Sequence, residues 1–150
     1  MSEWNATDFV RFEELFWNVT REMGKMWKQV FEANLPGSQS HLVFTLARKG
    51  PLKMSELAQI LGLTAGAVTA ASDKLISHGY VTRIRDESDR RIVHLAITDD
   101  GREMLQQLRS VGRTKMTKAF SHLNEDQLPM MIDIFEQAAR NISIMKGDEK

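Results

Sequence analysis

From Phe9 onward, apolar side chains recur at Phe9, Phe12, Phe16, Val19, Met23, Met26 and Val30, in steps of 3, 4, 3, 4, 3 and 4. That alternation holds one stripe on one side of a helix for three heptads. Leu15 and Trp27 broaden the stripe, so more than one neighbour must cover it. Pro36-Gly37 ends the segment. The pattern returns towards the other terminus at Leu128, Met131, Phe135, Ala138, Ile142 and Met145. Between them, Leu105, Leu108, Met116, Phe120 and Leu123 predict a less regular helix, kinked near Gly112. Asn124 is the expected cap of the last helix, with Glu125, Asp126 and Gln127 as its acidic first turn. Two seams at opposite ends of a short chain are more than its middle can cover. A homodimer with interlocking terminal helices covers both, and closed two-fold dimers are the commonest oligomers. Phe9, Phe12, Phe16, Leu128, Met131, Phe135 and Ile142 are its candidate dimerisation residues.

The middle has a shorter rhythm. Ser38 is the expected N-cap of a helix through Leu42, Val43, Leu46 and Ala47, stopped by Gly50-Pro51. Leu52-Lys53-Met54 has room for a very short strand. Ser55 is the expected cap of the next helix, with Leu57, Ala58, Ile60 and Leu61 inward. Gly62 stands where a helix end needs positive φ, Leu63 anchors the turn, and Thr64 caps a helix with Val68, Ala71, Leu75 and Ile76 as its buried stripe. After Gly79 the period changes: Val81–Arg85 and Ile92–Ile97 read as strands around the polar loop Asp86–Arg91, and Thr98 caps a further helix. The predicted fold is mainly α with a small β-hairpin, a winged helix-turn-helix flanked by dimerisation helices. Its expected parts are an N-terminal dimerisation helix (1–36), a winged helix-turn-helix DNA-binding domain (37–98) and C-terminal dimerisation helices (99–150).

Composition narrows the chemistry. The absence of cysteine excludes disulfides, thiolate-held zinc and a thiol nucleophile. His41, His78, His94 and His122 are scattered without metal-ligand spacing, so no metal or other cofactor is expected. No phosphate-cradling glycine loop or nucleophile elbow is present, so no enzyme is expected. No apolar run approaches a membrane span and nothing reads as a signal peptide, which makes the cytoplasm the expected location. Lys+Arg and Asp+Glu are both 20, yet residues 48–102 carry a net charge of +2 and residues 1–47 a net charge of −2. The excess is small; it directs attention to the middle as the place for a polyanion.

Residues 38–105 resemble the MarR family of bacterial transcriptional regulators. The resemblance rests on Met54-Ser55-Glu56-Leu57-Ala58, the Gly62-Leu63-Thr64 turn, Val68-Thr69-Ala70-Ala71-Ser72-Asp73-Lys74-Leu75 and Gly79-Tyr80-Val81. It continues through Asp89-Arg90-Arg91 and the exit Ile97-Thr98-Asp99-Asp100-Gly101, and the helical ends follow the same arrangement. It implies a homodimer on double-stranded DNA at a pseudo-palindromic operator, repression as the expected outcome, and release by a small aromatic or anionic effector. Asp89 would brace Arg91. The effector would bind where the terminal helices meet the DNA-binding lobe, in a pocket with Trp17, Trp27, His41, Phe44 and the methionines as its candidate lining.

The candidate DNA contacts make chemical sense one by one. Ala65, Gly66 and Ala67 allow close approach at the start of the second helix, where free amides and Thr64 can hold a phosphate. Thr69 and Ala70 can meet thymine methyls, and Lys74 can reach the backbone or a guanine. Asp73 can accept from cytosine or orient Lys74, and Ser55 lies on the preceding helix. That face has no Arg, Asn or Gln, which leaves more of the specificity to shape. Arg90 and Arg91 fit a narrow minor groove, while Arg83 and Arg85 alternate with Thr82 and Ile84 and can reach phosphates. The alternative from another class is a dimeric winged-helix adaptor that binds protein and no DNA.

Overall fold

The structure, a computed structural model, describes residues 5–148. Residues 1–4 and 149–150, the outermost parts of the two expected dimerisation segments, lie outside the described residues. The order is α1 (Ala6–Glu32), α2 (Ser38–Lys49), β1 (Leu52–Lys53), α3 (Met54–Leu61), α4 (Ala65–Ser77), β2 (Val81–Arg85), β3 (Val93–Ile97), α5 (Asp99–Ala119) and α6 (Gln127–Asp148). The chain divides into two compact units, one up to Thr114 and one from Lys115.

In the first unit the core gathers Leu42, Val43 and Leu46 of α2, Leu57 of α3, Val68 and Leu75 of α4, and Val81 and Leu95 of the sheet. Leu105 and Leu108 of α5 close it. Each such side chain contributes about 1.5–3 kcal/mol by leaving water. The three strands are ordered β1-β3-β2, all antiparallel. Arg83 stands opposite Leu95, and Ile84 opposite His94.

The helix-turn-helix corner is built as its residues predict. Gly62 adopts φ 63° and ψ 34°, and Leu63 N–H reaches back to the Ala58 carbonyl at 2.9 Å. Thr64 then caps α4, its hydroxyl oxygen accepting from Ala67 N–H at 3.1 Å. At the hairpin exit, Thr98 accepts from Gly101 N–H at 3.1 Å and donates to the Gly79 carbonyl at 2.6 Å. A Cβ at Gly101 would collide with the Tyr80 carbonyl oxygen, which explains the glycine three residues after the threonine.

Several expected boundaries move. α2 is entered through Gly37, with no side-chain cap, and Ser38 is its first residue. α3 begins at Met54, so Ser55 lies inside it: the Glu56 carboxylate accepts from Lys53 N–H at 2.7 Å and caps the helix immediately after the β1 pairing. For the same reason β1 stops at Lys53, short of Met54. Ile92 closes the wing loop instead of extending β3, with its N–H on the Asp89 carbonyl and its carbonyl on Asp86 N–H, both at 3.0 Å. α5 runs unbroken across Gly112, the residue near which the sequence predicts a kink. Gly112 is buried where the Trp27 ring lies, and any Cβ there would meet that ring.

α1 is inward only near its C-terminus, where Val30 is buried. Trp27 stacks on Phe31 with centroids 5.7 Å apart, and Phe31 meets Phe44 edge-on at 4.6 Å. Further back, Phe9, Phe12 and Phe16 form a ladder of rings at 5.9 and 6.0 Å, all on the exposed surface.

In the second unit, Asn124 Oδ1 accepts from the amides of Asp126 and Gln127 at 3.0 and 2.9 Å, while Gln127 Oε1 accepts from Asn124 N–H at 3.1 Å. This reciprocal cap starts α6 at Gln127. Glu125 and Asp126, expected in the first turn, therefore precede the helix. Leu128, Phe135 and Ile142 are exposed along α6 and Met131 is half-buried. No described helix is long and apolar enough to cross a membrane.

Candidate nucleic-acid interface

α4 buries Val68, Ala71, Ser72 and Leu75, and turns Ala65, Gly66, Thr69, Ala70, Asp73 and Lys74 to the surface. Ala67 is half-buried and gives its amide to Thr64. The amides of Ala65 and Gly66, in the first turn, have no acceptor within the helix. Thr69 spends its hydroxyl proton on the Ala65 carbonyl at 3.0 Å, so it offers a methyl group and an oxygen acceptor to anything that approaches. Ser55 is exposed on α3. Beside α4, Ser38 and Gln39 of α2 share with Ala67, Ala70 and Lys74 a groove of about 230 Å³. Neither Ser38 nor Gln39 is singled out by the sequence as a groove residue, because their proximity to α4 is a product of helix packing.

The wing is held by acidic residues of its own loop and of α4. Arg83 Nη2 donates to Asp73 Oδ1 at 2.6 Å, joining β2 to α4. Asp73 thus pairs with a residue of another element, and neither of the two roles expected for it describes its partner. Arg85 Nη1 donates to the Arg90 carbonyl at 3.2 Å. Both strand arginines, expected to reach out to phosphates, are engaged within the protein. At the tip, Asp89 takes Arg91 in a fork, with Nε to Oδ1 at 3.1 Å and Nη2 to Oδ2 at 3.2 Å. This contact holds the Asp89 carboxyl below its ordinary value. The Arg91 side chain is 91% exposed even so, and Arg90 is also exposed. Asp86, which the sequence does not single out, is the knot of the loop. Its Oδ1 accepts from Ser88 Oγ at 2.6 Å, Ser88 N–H at 2.8 Å and Asp89 N–H at 3.1 Å. The Ser88 hydroxyl above all, with those amides, lowers its carboxyl to about 2. The available signal was the Asp-x-Ser spacing, a side-chain-to-backbone turn.

The expected effector residues separate. His41 and Phe44 line a cavity of about 680 Å³ together with Arg48, Arg102 and Arg109. The Arg109 guanidinium stands 5.6 Å from the centre of the Phe44 ring. Trp17, on α1, is exposed and is not among the lining residues. The sequence reading missed the three arginines, although Arg102 and Arg109 are seven apart and therefore share a helix face. Among the described residues, no three His, Asp or Glu side chains gather as a metal site.

Known proteins place this geometry. Residues 35–93, from the entry to α2 into β3, match the sequence profile of the MarR family. The HTH-type transcriptional regulator YpoP of Bacillus subtilis is 28% identical over 125 residues, spanning 83% of this chain and 89% of that protein. The transcriptional regulator Tm0710 of Thermotoga maritima superposes with a TM-score of 0.76 at 24% identity, covering 89% of this chain and 97% of that one. A mutant MepR of S. aureus, solved bound to an oligodeoxyribonucleotide, superposes with a TM-score of 0.69 at 19% identity, covering 87% and 97%. The profile lies across the helix-turn-helix and the wing, and over residues 35–93 the chain is similar to the MarR family of transcriptional regulators.

Proposed function

We propose that this protein binds double-stranded DNA as a homodimer at a pseudo-palindromic operator, represses transcription by occupying it, and is released by a small anionic or aromatic effector. The observation that carries the reading is the link between α4 and the wing. A helix with a small-residue, amide-rich start and an arginine-tipped hairpin are joined through Asp73 and Arg83, so they meet a duplex as one body. The helix fits a major groove and Arg90 and Arg91 fit the adjacent minor groove, where negative potential is focused. MepR, which shares the fold, was solved with an oligodeoxyribonucleotide. In a two-fold dimer the two α4 helices address successive major grooves about 34 Å apart. The exposed aromatic ladder of α1 and the apolar positions of α6 support the dimer, since single chains rarely leave such stripes in water. Repression needs only that the bound dimer cover a promoter.

The effector reading rests on the cavity beside Phe44. Its three arginines favour an anion, and the Phe44 ring favours a flat apolar body. Such a ligand releases DNA only if it binds one arrangement of the dimer better than another.

Selection of bound duplexes from a random pool tests the proposal. The expected result is a two-fold motif with half-sites one helical turn apart, and binding that weakens steeply as salt rises. A salt-insensitive interaction, or no enrichment at low ionic strength, overturns it. A protein-binding adaptor would keep its activity after charge reversal of Arg90 and Arg91; a DNA-binding regulator would lose it.

A further inference from the structure

The wing carries Arg91 with its side chain 91% exposed, and the contacts that direct it lie within the loop itself. The fork to Asp89 directs it only if Asp89 is itself fixed. Its carbonyl is held by Ile92 N–H at 3.0 Å, and its amide is held by the Asp86 carboxylate at 3.1 Å. The same Asp86 oxygen takes both Ser88 donors, so one atom gathers three donors from two successive residues. Asp86 N–H closes the base of the loop on the Ile92 carbonyl. A chain of contacts thus runs from Asp86 through the Asp89 backbone to the Asp89 carboxylate and on to the Arg91 guanidinium.

We propose that Asp86 is a positioning residue for DNA binding: without touching DNA it fixes Asp89, and through Asp89 it presents Arg91 for insertion. The proposal rests on the DNA-binding reading above. Its sign separates it from simple electrostatics. Asp86 is an anion at a surface meant for phosphates, so its charge alone opposes binding and removing it should tighten the complex. Positioning demands the reverse. A loop freed of its knot must be ordered at the moment of binding, and that ordering cost weakens the complex.

The test is a set of variants measured on the selected duplex by fluorescence anisotropy at fixed salt. Asp86→Ala should weaken binding about three- to tenfold, the scale of one or two lost hydrogen bonds. Asp86→Asn keeps the acceptor oxygen and discards the charge, and should bind at least as tightly as the natural protein. Because Asp86 acts through Arg91, the double variant with Arg91→Ala should bind no more weakly than Arg91→Ala alone. The proposal is overturned if Asp86→Ala binds as tightly as the natural protein or more so, if Asp86→Asn loses as much as Asp86→Ala, or if the penalties of Asp86→Ala and Arg91→Ala multiply. A measurement on the free protein keeps this apart from the DNA reading. The heteronuclear NOE of Arg91 Nε–H should fall in Asp86→Ala and persist in Asp86→Asn. If Arg91→Ala has no effect on DNA the wing reading fails, and Nε–H order still decides the claim for Asp86.

Discussion

Arg83 Nη2 lies 2.6 Å from Asp73 Oδ1, and this contact joins the wing strand β2 to α4. Both side chains are about half exposed, so the pair contributes under about 1 kcal/mol to stability. Its importance is geometric, because it fixes the angle between the two parts that the proposed complex places in neighbouring grooves. Asp73→Asn should therefore leave the melting temperature nearly unchanged and weaken binding to every duplex by a similar factor. If Asp73 accepted from a cytosine instead, the substitution would change which duplexes are selected, and repeated selection distinguishes the two.

Arg91→Ala removes one exposed cation and with it the minor-groove contact proposed for the wing. Binding should weaken across all sequences, and the slope of log K against log salt should fall by about one. Thr69→Ala, which leaves the phosphate-facing charges in place, should change the preferred sequence and spare the slope. A full salt titration of both variants checks the contrast.

The Asp86 carboxyl, lowered to about 2 from an ordinary 3.8, has a definite pH consequence. A group with a depressed folded-state value contributes its full share of stability above 3.8, and that share disappears as pH falls through about 2. Asp89 is lowered in the same direction by Arg91. The Ser88 and Asp89 amide signals should therefore be unchanged at pH 4 and move only towards pH 2 in an NMR titration. An inflection near 3.8 would show that the loop is not tied in solution.

Gly112 lies against the face of Trp27, with no room for a Cβ. Gly112→Ala should destabilise the first unit by about 1–3 kcal/mol, as overpacking does, and shift the indole N–H signal of Trp27. Retention of both the melting temperature and that signal would contradict the packing.

What could be read from the sequence, and what could not, divides along sequence separation. Gly62, Thr64 and Thr98 act on residues three or four away, so turn and cap chemistry announces them. Val68, Ala71 and Leu75 declare a buried face by spacing alone. Ser38 and Ser55 misled because a cap is a competition: Gly37 took one helix entry and Glu56 secured the other from inside the helix. Gly112 looked like a flaw in a helix because Trp27, which explains it, is far away in the chain. The partner of Asp73 was hidden for the same reason, since it depends on how β2 folds back on α4.

The α1 ladder carries the last prediction. Phe12 is 55% exposed between Phe9 and Phe16, and none of the three rings reaches the buried core of the first unit. Burying one such ring contributes about 1.5–3 kcal/mol, and a two-fold dimer counts every position twice. Phe12→Glu should therefore yield a monomer at micromolar concentration in sedimentation equilibrium, with the circular dichroism melt of the winged unit preserved. It should bind a two-half-site duplex little better than a single half-site, because the second α4 is no longer delivered with the first. A Phe12→Glu protein that remains dimeric and keeps its preference for paired half-sites would remove α1 from the dimer interface.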